Sequence, residues 1–389
     1  MECAGIGGPA TLLCKMQLRK RTTPAVNIAL VAAILLGATG WLVAAASGAS
    51  KIEAPLYVRV DGNHLVNGAG RTIKLLGVDR SGAEYMCVAG GQVFDGPSDS
   101  ASVAAMASWH INAVRVPLNE DCWLGINGVA TGGSTYQSAI FSYVRTLQSF
   151  GLYVILDLHW AAPGVHVAAS QWPMADESHA PAFWKSVATI FKGNHGVIFD
   201  LFNEPYITSW GCWLHGCTAS YKDNGSSVTY TTAGMQQLVD AVRATGSTAP
   251  IMLGGLGWAG NESQWLKYEP RDARHQLIVS FHNYNFGGCT SVACWNQVVA
   301  PLAKVVPVVT GEFGENGCKD VYAIKYMDWA DAHGISYLGW TWDSVRAGGW
   351  SCGGGPALIT NYNGTPTAYG RGLREHLEKL WKEGDATSS

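Results

Sequence analysis

One stretch of the chain, residues 197–205, constrains the fold more than any other. Five of the six residues from 197 to 202 are apolar, with little alternation between polar and apolar positions. Such a run is typical of a strand that is buried on both faces, as in a parallel sheet. The run ends at Asn203, Glu204 and Pro205, and proline has no N–H with which to extend a sheet. The stretch therefore predicts a buried parallel strand with a carboxylate at its C-terminal end.

A second stretch, residues 305–314, has the same character. Its apolar residues lead to Glu312, which is followed by Phe313 and Gly314. Two buried strands that each end in a glutamate can bring two carboxylates face to face, and hydrolysis of a glycosidic bond requires such a pair. A glutamate taken alone is more often a solvated or salt-bridged loop residue. The common position of Glu204 and Glu312 at strand ends favours the catalytic interpretation.

The rest of the chain alternates apolar strands with amphipathic helices. The predicted strands cover residues 73–78, 111–116, 152–158, 197–202, 251–254, 276–281, 305–310 and 335–340. The predicted helices cover residues 100–110, 138–150, 181–192, 231–245, 322–333 and 372–383. Residues 57–72 alternate around turns rich in Asn and Gly, which predicts a small β-hairpin. Eight strands, most of them followed by a helix, predict one α/β domain over residues 50–389, a (β/α)8 TIM barrel with that hairpin at its N-terminal end.

Residues 1–49 are predicted to be a targeting segment rather than part of the fold. Lys15, Arg19, Lys20 and Arg21 precede an apolar run from residue 24 to residue 46, which ends in small residues. This order is typical of a secretory signal, and it predicts a secreted, extracellular protein. The run is also long enough for an uncleaved membrane anchor, which is the alternative.

Eight cysteines follow the targeting segment, and an even number suits disulfide bonds in an exported chain. The simplest pairs are Cys212–Cys217 and Cys289–Cys294 within single loops, with Cys87–Cys122 and Cys318–Cys352 between adjacent loops of a barrel. The alternative is a zinc site. It is disfavoured because no two of the eight cysteines have Cys-x-x-Cys spacing.

The charge and the aromatic content of the chain limit the classes of ligand that it can bind. The net charge of −3 and the isoelectric point near 6.4 lack the basic footprint of a nucleic-acid-binding protein. The chain has 16 Trp and 15 Tyr residues, and aromatic faces can stack on sugar rings as well as fill a core. Five tryptophans fall in predicted loops over the barrel mouth, where they could form sugar subsites or pack within the loops: Trp123, Trp160, Trp172, Trp210 and Trp213.

Polar and aromatic residues follow most of the predicted strands. The C-terminal ends of all barrel strands meet at one mouth, where the active sites of this fold lie. The motifs at these ends are Arg115-Val-Pro-Leu118, Asp157-Leu-His159, Asn203-Glu204-Pro205, His282-Asn-Tyr284, Gly311-Glu312-Phe-Gly314 and Gly339-Trp340-Thr-Trp342. In this order they resemble glycoside hydrolase family 5, the cellulase-type retaining β-glycanases, over nearly the whole chain after the leader.

The resemblance implies a double displacement with Glu312 as the nucleophile and Glu204 as the general acid and later the general base. In such a site the two carboxyl groups lie roughly 5–5.5 Å apart. At that separation the charge of Glu312 is expected to raise the pKa of Glu204. Arg115 would keep Glu312 ionised, and Tyr284 would orient its second oxygen.

The remaining matched residues are expected to contact the substrate. Asn203 would donate a hydrogen bond to the 2-hydroxyl of the sugar. His159 and His282 would bind sugar hydroxyls or orient Glu204, and Trp342 would be the platform under the sugar, with Trp340 as its alternative. The structural alternatives are an ordinary ion pair for Arg115 and a packing role for His159 and His282. No metal or other cofactor is expected, because no His-x-His pair supports a metal site.

The resemblance thus implies a secreted, monomeric endo-β-1,4-glucanase that acts on β-glucan without a nucleic-acid partner. It would meet a membrane only if the leader stays uncleaved. A mannanase, xyloglucanase, β-1,3-glucanase or glycolipid-cleaving glycosidase remains open, because loops decide the substrate within this family. The alternatives from other classes are a catalytically silent sugar-binding barrel and a metal-dependent hydrolase.

Overall fold

The computed structural model describes residues 55–223, 225–317, 319–344 and 356–384. The predicted leader and the Cys318–Cys352 pair lie outside these residues. Within them, no helix is both long enough and apolar enough to cross a membrane.

The predicted barrel is confirmed. Eight parallel strands close in the order β10-β11-β12-β13-β4-β5-β6-β7, with β7 paired to β10. The strands are β1 (Val58–Asp61), β2 (His64–Asn67), β3 (Thr72–Ile73), β4 (Leu76–Asp79), β5 (Ala113–Asn119), β6 (Tyr153–Trp160), β7 (Val197–Asp200), β8 (Thr218–Asp223), β9 (Ser226–Thr231), β10 (Ile251–Gly254), β11 (Leu277–Tyr284), β12 (Val308–Gly314), β13 (Ser336–Gly339), β14 (Ile359–Asn361) and β15 (Thr365–Pro366).

Helices lie between most of the barrel strands. They are α1 (Met86–Ala89), α2 (Ser100–Ala107), α3 (Glu120–Leu124), α4 (Ser134–Ser149), α5 (Ala180–Phe191), α6 (Trp210–His215), α7 (Met235–Ala244), α8 (Val292–Val298), α9 (Val321–Ala332) and α10 (Ala368–Glu383). The alternation of each barrel strand places one set of side chains under these helices and the other set inside the barrel.

The interior of the barrel is built in layers. Ile155, Ile198, Met252, Ile278 and Val309 belong to an apolar cluster that also includes residues of β1, β2 and β3. The predicted N-terminal hairpin has a third strand, so that β1, β2 and β3 form an antiparallel sheet. This sheet packs against the apolar layer inside the barrel. Because the lower part of the barrel is filled, the open space lies towards the C-terminal ends of the strands.

The largest corrections to the predicted elements concern one strand, one helix and one hairpin. The seventh barrel strand begins at Val308 rather than at residue 305, because residues 302–304 form a 3-10 turn and Val305 is exposed. The helix predicted from residue 231 begins only at Met235, because Thr231 ends strand β9. Strands β8 and β9 form an antiparallel hairpin that the sequence did not predict. One of its faces is exposed, whereas Ala219 and Tyr230 on the other face pack in an apolar cluster with Trp172.

Three of the predicted disulfide bonds are present in the described residues. Cys87–Cys122 joins the loops after β4 and β5, whereas Cys212–Cys217 and Cys289–Cys294 close short loops of their own. All three therefore lie in segments that follow the C-terminal ends of barrel strands.

Candidate active site

The two predicted glutamates meet at the mouth of the barrel. Glu312 lies within β12 and is 3% exposed, and the Glu204 side chain, just after β7, is 21% exposed. His282 Nδ1 lies 3.0 Å from Glu204 Oε1 and 3.6 Å from Glu312 Oε2. One carboxylate oxygen of each glutamate and this nitrogen all lie within 4.8 Å of one another. Two carboxyl groups so close can act on the two sides of a single bond.

Glu312 is held through both of its oxygens. Arg115 Nη1 donates to Oε1 at 2.8 Å, and Tyr284 Oη donates to Oε2 at 2.6 Å. Burial, followed by the charges of Glu312 and Glu204, raises the pKa of Tyr284 well above its ordinary value, so the phenol keeps its proton. The expected contacts of Arg115 and Tyr284 with Glu312 are therefore present.

Arg115 also contacts three buried aspartates, which lie on strands β4, β6 and β7. Its Nη1 is 3.1 Å from Asp79, its Nη2 is 3.1 Å from Asp157, and its Nε is 3.0 Å from Asp200. Burial alone would lower the pKa of Arg115, but the surrounding carboxylates outweigh it and raise the pKa. Burial raises the pKa of Asp157 to about 7 and that of Asp200 to about 6. The guanidinium of Arg115 thus contacts four carboxylates, those of Glu312 and the three aspartates. The raised pKa values of Asp157 and Asp200 keep these two groups partly protonated near neutral pH.

Asp79 and Asp200 were not identified from the sequence. Asp200 lies one inward-facing position beyond the apolar interior residue Ile198, and Asp79 lies one inward-facing position beyond Gly77. The available signal was an aspartate inside an otherwise apolar, fully buried strand, where a lone charge is costly unless it is paired.

Asn203 and His159 extend the same network towards the substrate space. Asn203 Oδ1 accepts from Arg115 Nη2 at 2.9 Å, and its Nδ2 lies 3.4 Å from His159 Nε2. His159 Nδ1 lies 2.7 Å from Asp157 Oδ2. Burial lowers the pKa of His159 to about 4, so the ring is neutral at pH 7, with its proton on the nitrogen that faces Asp157.

The pKa of Glu204 shifts in the expected direction, but for a different main reason. Burial raises it to about 7, while the charges of His159 and Arg115 oppose the rise. The expected cause was the charge of Glu312. Burial also lowers the pKa of His282 to about 4, so a neutral imidazole lies between the two glutamates at pH 7.

The expectation that Trp342 forms the sugar platform is wrong. Its side chain is fully buried and packs edge-on against Trp109, with ring centroids 4.7 Å apart. Strand β13 ends at Gly339, so strand alternation no longer places Trp340 and Trp342 on one side. Trp340, the alternative, lines the cavity and stacks on the ring of His159 at 5.3 Å.

Four of the five loop tryptophans are also structural. Trp123, Trp172, Trp210 and Trp213 are buried, whereas Trp160 is only partly buried. The packing interpretation therefore holds for these four, because the loops over the mouth are thick enough to enclose their own aromatic residues.

A cavity of about 530 Å³ contains the paired glutamates. It is lined by His159, Asn203, His282, Tyr284 and Trp340, together with two aromatic residues that the sequence did not single out, Trp258 and Phe286. This volume is in the usual range for a ligand site. Glu204, His282 and Glu312 also form the only group in the described residues whose ligand atoms could meet at one metal ion, and two carboxylates with an imidazole are a donor set that zinc accepts.

The chain is similar to several known proteins. The model of the family described as cellulase, glycosyl hydrolase family 5, matches residues 69–345. Endoglucanase CelA of Streptomyces lividans is 24% identical over 320 residues, which cover 79% of this chain and 60% of that protein. A mannan endo-1,4-beta-mannosidase of Cellvibrio japonicus (strain Ueda107) is 24% identical over 346 residues, covering 86% of this chain and 68% of the relative.

A solved structure shares the fold. The beta-glucanase SdGluc5_26A from Saccharophagus degradans, in complex with cellotetraose, superposes with a TM-score of 0.64 at 20% identity, covering 84% of this chain and 94% of that chain. At this identity the likeness concerns the fold. The chain spans 60% of the length of the Streptomyces endoglucanase, so a relative of this kind has further sequence that the match does not reach.

Proposed function

This chain belongs to glycosyl hydrolase family 5, and we propose that it is a retaining endo-β-1,4-glucanase. The observation that carries the proposal is the spacing of Glu204 and Glu312, whose nearest oxygens lie within 4.8 Å of each other. Retaining enzymes hold their carboxyl groups roughly 5–5.5 Å apart, whereas inverting enzymes need roughly 6.5–9.5 Å to admit a water molecule. The measured spacing favours the retaining arrangement.

In the proposed first step, Glu312 attacks the anomeric carbon while Glu204 protonates the oxygen of the leaving sugar. The bond between that carbon and the glycosidic oxygen breaks, and an ester bond to Glu312 forms. A pKa of about 7 leaves Glu204 protonated below neutral pH, as the general acid requires. Glu312, held by Arg115 and Tyr284, presents a fixed oxygen to the reacting carbon.

In the second step, Glu204 removes a proton from water, and the water oxygen displaces Glu312 from the anomeric carbon. The sugar is released with its original configuration, and the proton taken from water replaces the one that Glu204 gave to the leaving sugar. Asn203 is proposed to bind the 2-hydroxyl of the sugar, and His159 and Trp340 are proposed to contact the same ring. Asn203 contacts both Arg115 and His159, and Trp340 stacks on His159.

The choice of a β-1,4-glucan rests on the cellulase description of the family and on the endoglucanase among the relatives. The mannosidase relative makes mannan the principal alternative. We test the proposal by measuring reducing-sugar release from carboxymethyl-cellulose, mixed-linkage glucan, xyloglucan, mannan and laminarin. Glu204→Gln and Glu312→Gln are measured beside the unsubstituted protein, with Glu177→Gln as a control because that side chain is exposed.

The expected result is turnover of a β-1,4-glucan that the first two substitutions abolish and the control does not. NMR of the first product should show the β-anomer. An α-anomer, or activity that survives Glu312→Gln, would contradict the mechanism. Preferred turnover of mannan would move the assignment to a mannanase, and sugar binding without turnover in any form would indicate a silent barrel.

We also propose that the protein is secreted. The proposal rests on the basic, apolar and small residues that follow one another between residues 15 and 49. Sequencing the N-terminus of protein recovered from the culture medium tests it. Protein that stays in the membrane fraction with its leader intact would indicate an anchor instead.

A further inference from the structure

The side chain of Gln171 contacts two residues of the proposed catalytic machinery. Its Oε1 accepts a hydrogen bond from Asn203 Nδ2 at 3.3 Å, and its Nε2 donates to the main-chain oxygen of Glu204 at 3.2 Å. Gln171 lies in the segment between β6 and α5, is partly buried, and is not one of the residues that line the cavity. Its contacts therefore reach the reacting bond through other residues.

The contact with Asn203 fixes the orientation of a carboxamide that is proposed to bind the sugar. Asn203 Oδ1 accepts from Arg115 Nη2 at 2.9 Å, and because a guanidinium only donates, the oxygen end of the amide must face Arg115. The two protons of the nitrogen end meet Gln171 Oε1 and the unprotonated Nε2 of His159, at 3.3 and 3.4 Å. Both distances are longer than is usual for a hydrogen bond, so a sugar hydroxyl can replace either acceptor at low cost. Until it does, Gln171 keeps the plane of the carboxamide fixed.

The contact with Glu204 is accompanied by two further hydrogen bonds between the same two segments. Tyr206 N donates to Pro173 O at 3.0 Å, and Tyr206 Oη donates to Gln171 O at 3.3 Å. These bonds hold the main chain of the proposed acid beyond the end of strand β7. Because the main-chain oxygen of Glu204 can only accept, the bond to it also fixes which end of the Gln171 amide faces Asn203.

The segment that carries Gln171 is held in place by the β8–β9 hairpin. Trp172 is buried, and its ring lies 4.6 Å from that of Tyr221 and 5.3 Å from that of Tyr230. Tyr230 Oη also accepts from Met174 N at 3.3 Å and donates to Met174 O at 2.9 Å. Close-packed side chains leave little room for movement, so the fold rather than the substrate sets the position of Gln171.

We propose that Gln171 is a positioning residue, which orients the carboxamide of Asn203 towards the 2-hydroxyl of the sugar that is attacked. The inference rests on the proposed retaining mechanism, because the contact between Asn203 and that hydroxyl is part of it. Such a contact strengthens towards the transition state, so a carboxamide that is oriented beforehand contributes more to the rate than one that must first turn. Gln171 should therefore affect the rate only where Asn203 and the 2-hydroxyl are both present.

The test compares two substrates that differ only in the 2-hydroxyl. They are 2,4-dinitrophenyl β-cellobioside and its analogue without the 2-hydroxyl on the ring that carries the leaving group. Dinitrophenolate departs without a proton, so kcat/KM reports the attack by Glu312 without the acid role of Glu204. The variants are Gln171→Met, which keeps the length of the side chain and removes both hydrogen bonds, Asn203→Ala, and the pair together.

Gln276→Met is the matched control. Gln276 is also partly buried, and its amide likewise accepts from and donates to the main chain, at Val60 N and Val60 O, at 2.8 and 3.1 Å. It directly precedes β11 and so lies at the opposite end of the barrel from the site. The total dinitrophenolate released from the corresponding 2-deoxy-2-fluoro substrate, which traps the ester of Glu312, counts the functional sites in each preparation. A variant that folds incompletely is thus compared at equal site concentration.

Gln171→Met is expected to lower kcat/KM about fivefold on the substrate with the 2-hydroxyl, the size of one neutral hydrogen bond. It should change the 2-deoxy substrate by less than about twofold, and it should add no more than that to the loss caused by Asn203→Ala. Gln171→Glu at about pH 5, where a protonated carboxyl has the same acceptor and donor, should recover part of the loss. Gln276→Met should change neither substrate.

Equal losses on the two substrates would overturn the inference, and so would a full further loss in the double variant, no loss in Gln171→Met or no recovery in Gln171→Glu. As long as the unsubstituted protein hydrolyses the substrate with the 2-hydroxyl, each of these results refutes the positioning role alone. If that substrate is not hydrolysed, the proposed glucanase function and the positioning role fail together.

Discussion

Replacement of Glu204 by glutamine should stabilise the folded protein at alkaline pH while it abolishes turnover of glycans. The side chain is 21% exposed, and burial raises its pKa from an ordinary value of 4.5 to about 7. This difference corresponds to about 3 kcal/mol by which the folded state disfavours the charged carboxylate. The remaining exposure makes that figure an upper value. Glutamine has nearly the same shape and no charge to bury, so it should escape this cost.

The stabilisation should appear within a defined range of pH. Below pH 4.5 the carboxyl holds its proton in both the folded and the unfolded chain. The free energies of unfolding of the wild-type protein and the Glu204→Gln variant should therefore differ little through ionisation in this range. As the pH rises from 4.5 through 7, the unfolded chain releases its proton first, and the folded wild-type protein loses stability. The variant does not titrate at this position. The difference in free energy of unfolding should therefore grow across this range and level off above about pH 8.

Urea unfolding at pH 4, 6 and 8 measures the difference. Glu177→Gln, which changes an exposed glutamate, is the control and should match the wild-type protein at each pH. In the wild-type protein kcat/KM should fall about tenfold per pH unit above pH 7, as Glu204 loses the proton that it must donate. A stability difference that is constant from pH 4 to 8, or an alkaline limb centred near pH 5, would refute burial as the source of the raised pKa.

Other changes test separate parts of the structure. Tyr284→Phe removes the 2.6 Å hydrogen bond to Glu312 and should lower kcat about 10- to 100-fold with KM little changed in steady-state kinetics, since a hydrogen bond to a charged group contributes about 1.5–3 kcal/mol. Trp342→Ala opens a cavity at a fully buried site and should lower the free energy of unfolding in urea by about 3–5 kcal/mol. Cys122→Ser should cost about 4 kcal/mol and Cys217→Ser about 2 kcal/mol in thermal unfolding, because the two disulfides span 35 and 5 residues; equal costs would contradict the loop-length argument. Zinc ions should inhibit competitively by binding between the paired glutamates and the histidine that bridges them, and a chelator should leave the activity of the purified protein unchanged.

The barrel could be predicted because its strands are buried on both faces, and burial leaves a direct mark on the sequence. Strand β10, Ile251–Gly254, has the bounds that its apolar run predicts. The site could be predicted for a related reason. The closed order of parallel strands places their C-terminal ends at one mouth, so residues as distant in sequence as Arg115 and Glu312 come within 2.8 Å.

The features that were not predicted depend on contacts rather than on local pattern. The β8–β9 hairpin does alternate exposed and apolar residues, but its apolar face packs against Trp172 in another loop rather than in the barrel. Trp342 was placed at the site by the family resemblance, but the strand ends three residues earlier, and nothing local marks that end. The left-handed turn at Trp258 could not be predicted, because it is held by a hydrogen bond from the backbone N–H of Trp258 to the carbonyl oxygen of Pro205, which lies far from it in sequence.

The layered interior explains why the chemistry can be predicted before the substrate. The apolar layer and the ionic layer around Arg115 occupy successive inward positions of the same strands, as Ile155 and Asp157 do. The acid and the nucleophile follow at the C-terminal ends of strands, where the active sites of this fold lie, although a register shift between Thr310 and Phe313 precedes the inward position of Glu312. The two exposed aromatic residues on the rim of the cavity, Trp258 and Phe286, lie in loops instead, and each of them stacks on a tyrosine, Tyr206 or Tyr284. A change of glycan preference can therefore occur in these loops without any change to the strands. For that reason, variants on the rim are the ones that test which glycan the cleft accepts, whereas variants at the paired glutamates test only that a glycosidic bond is broken.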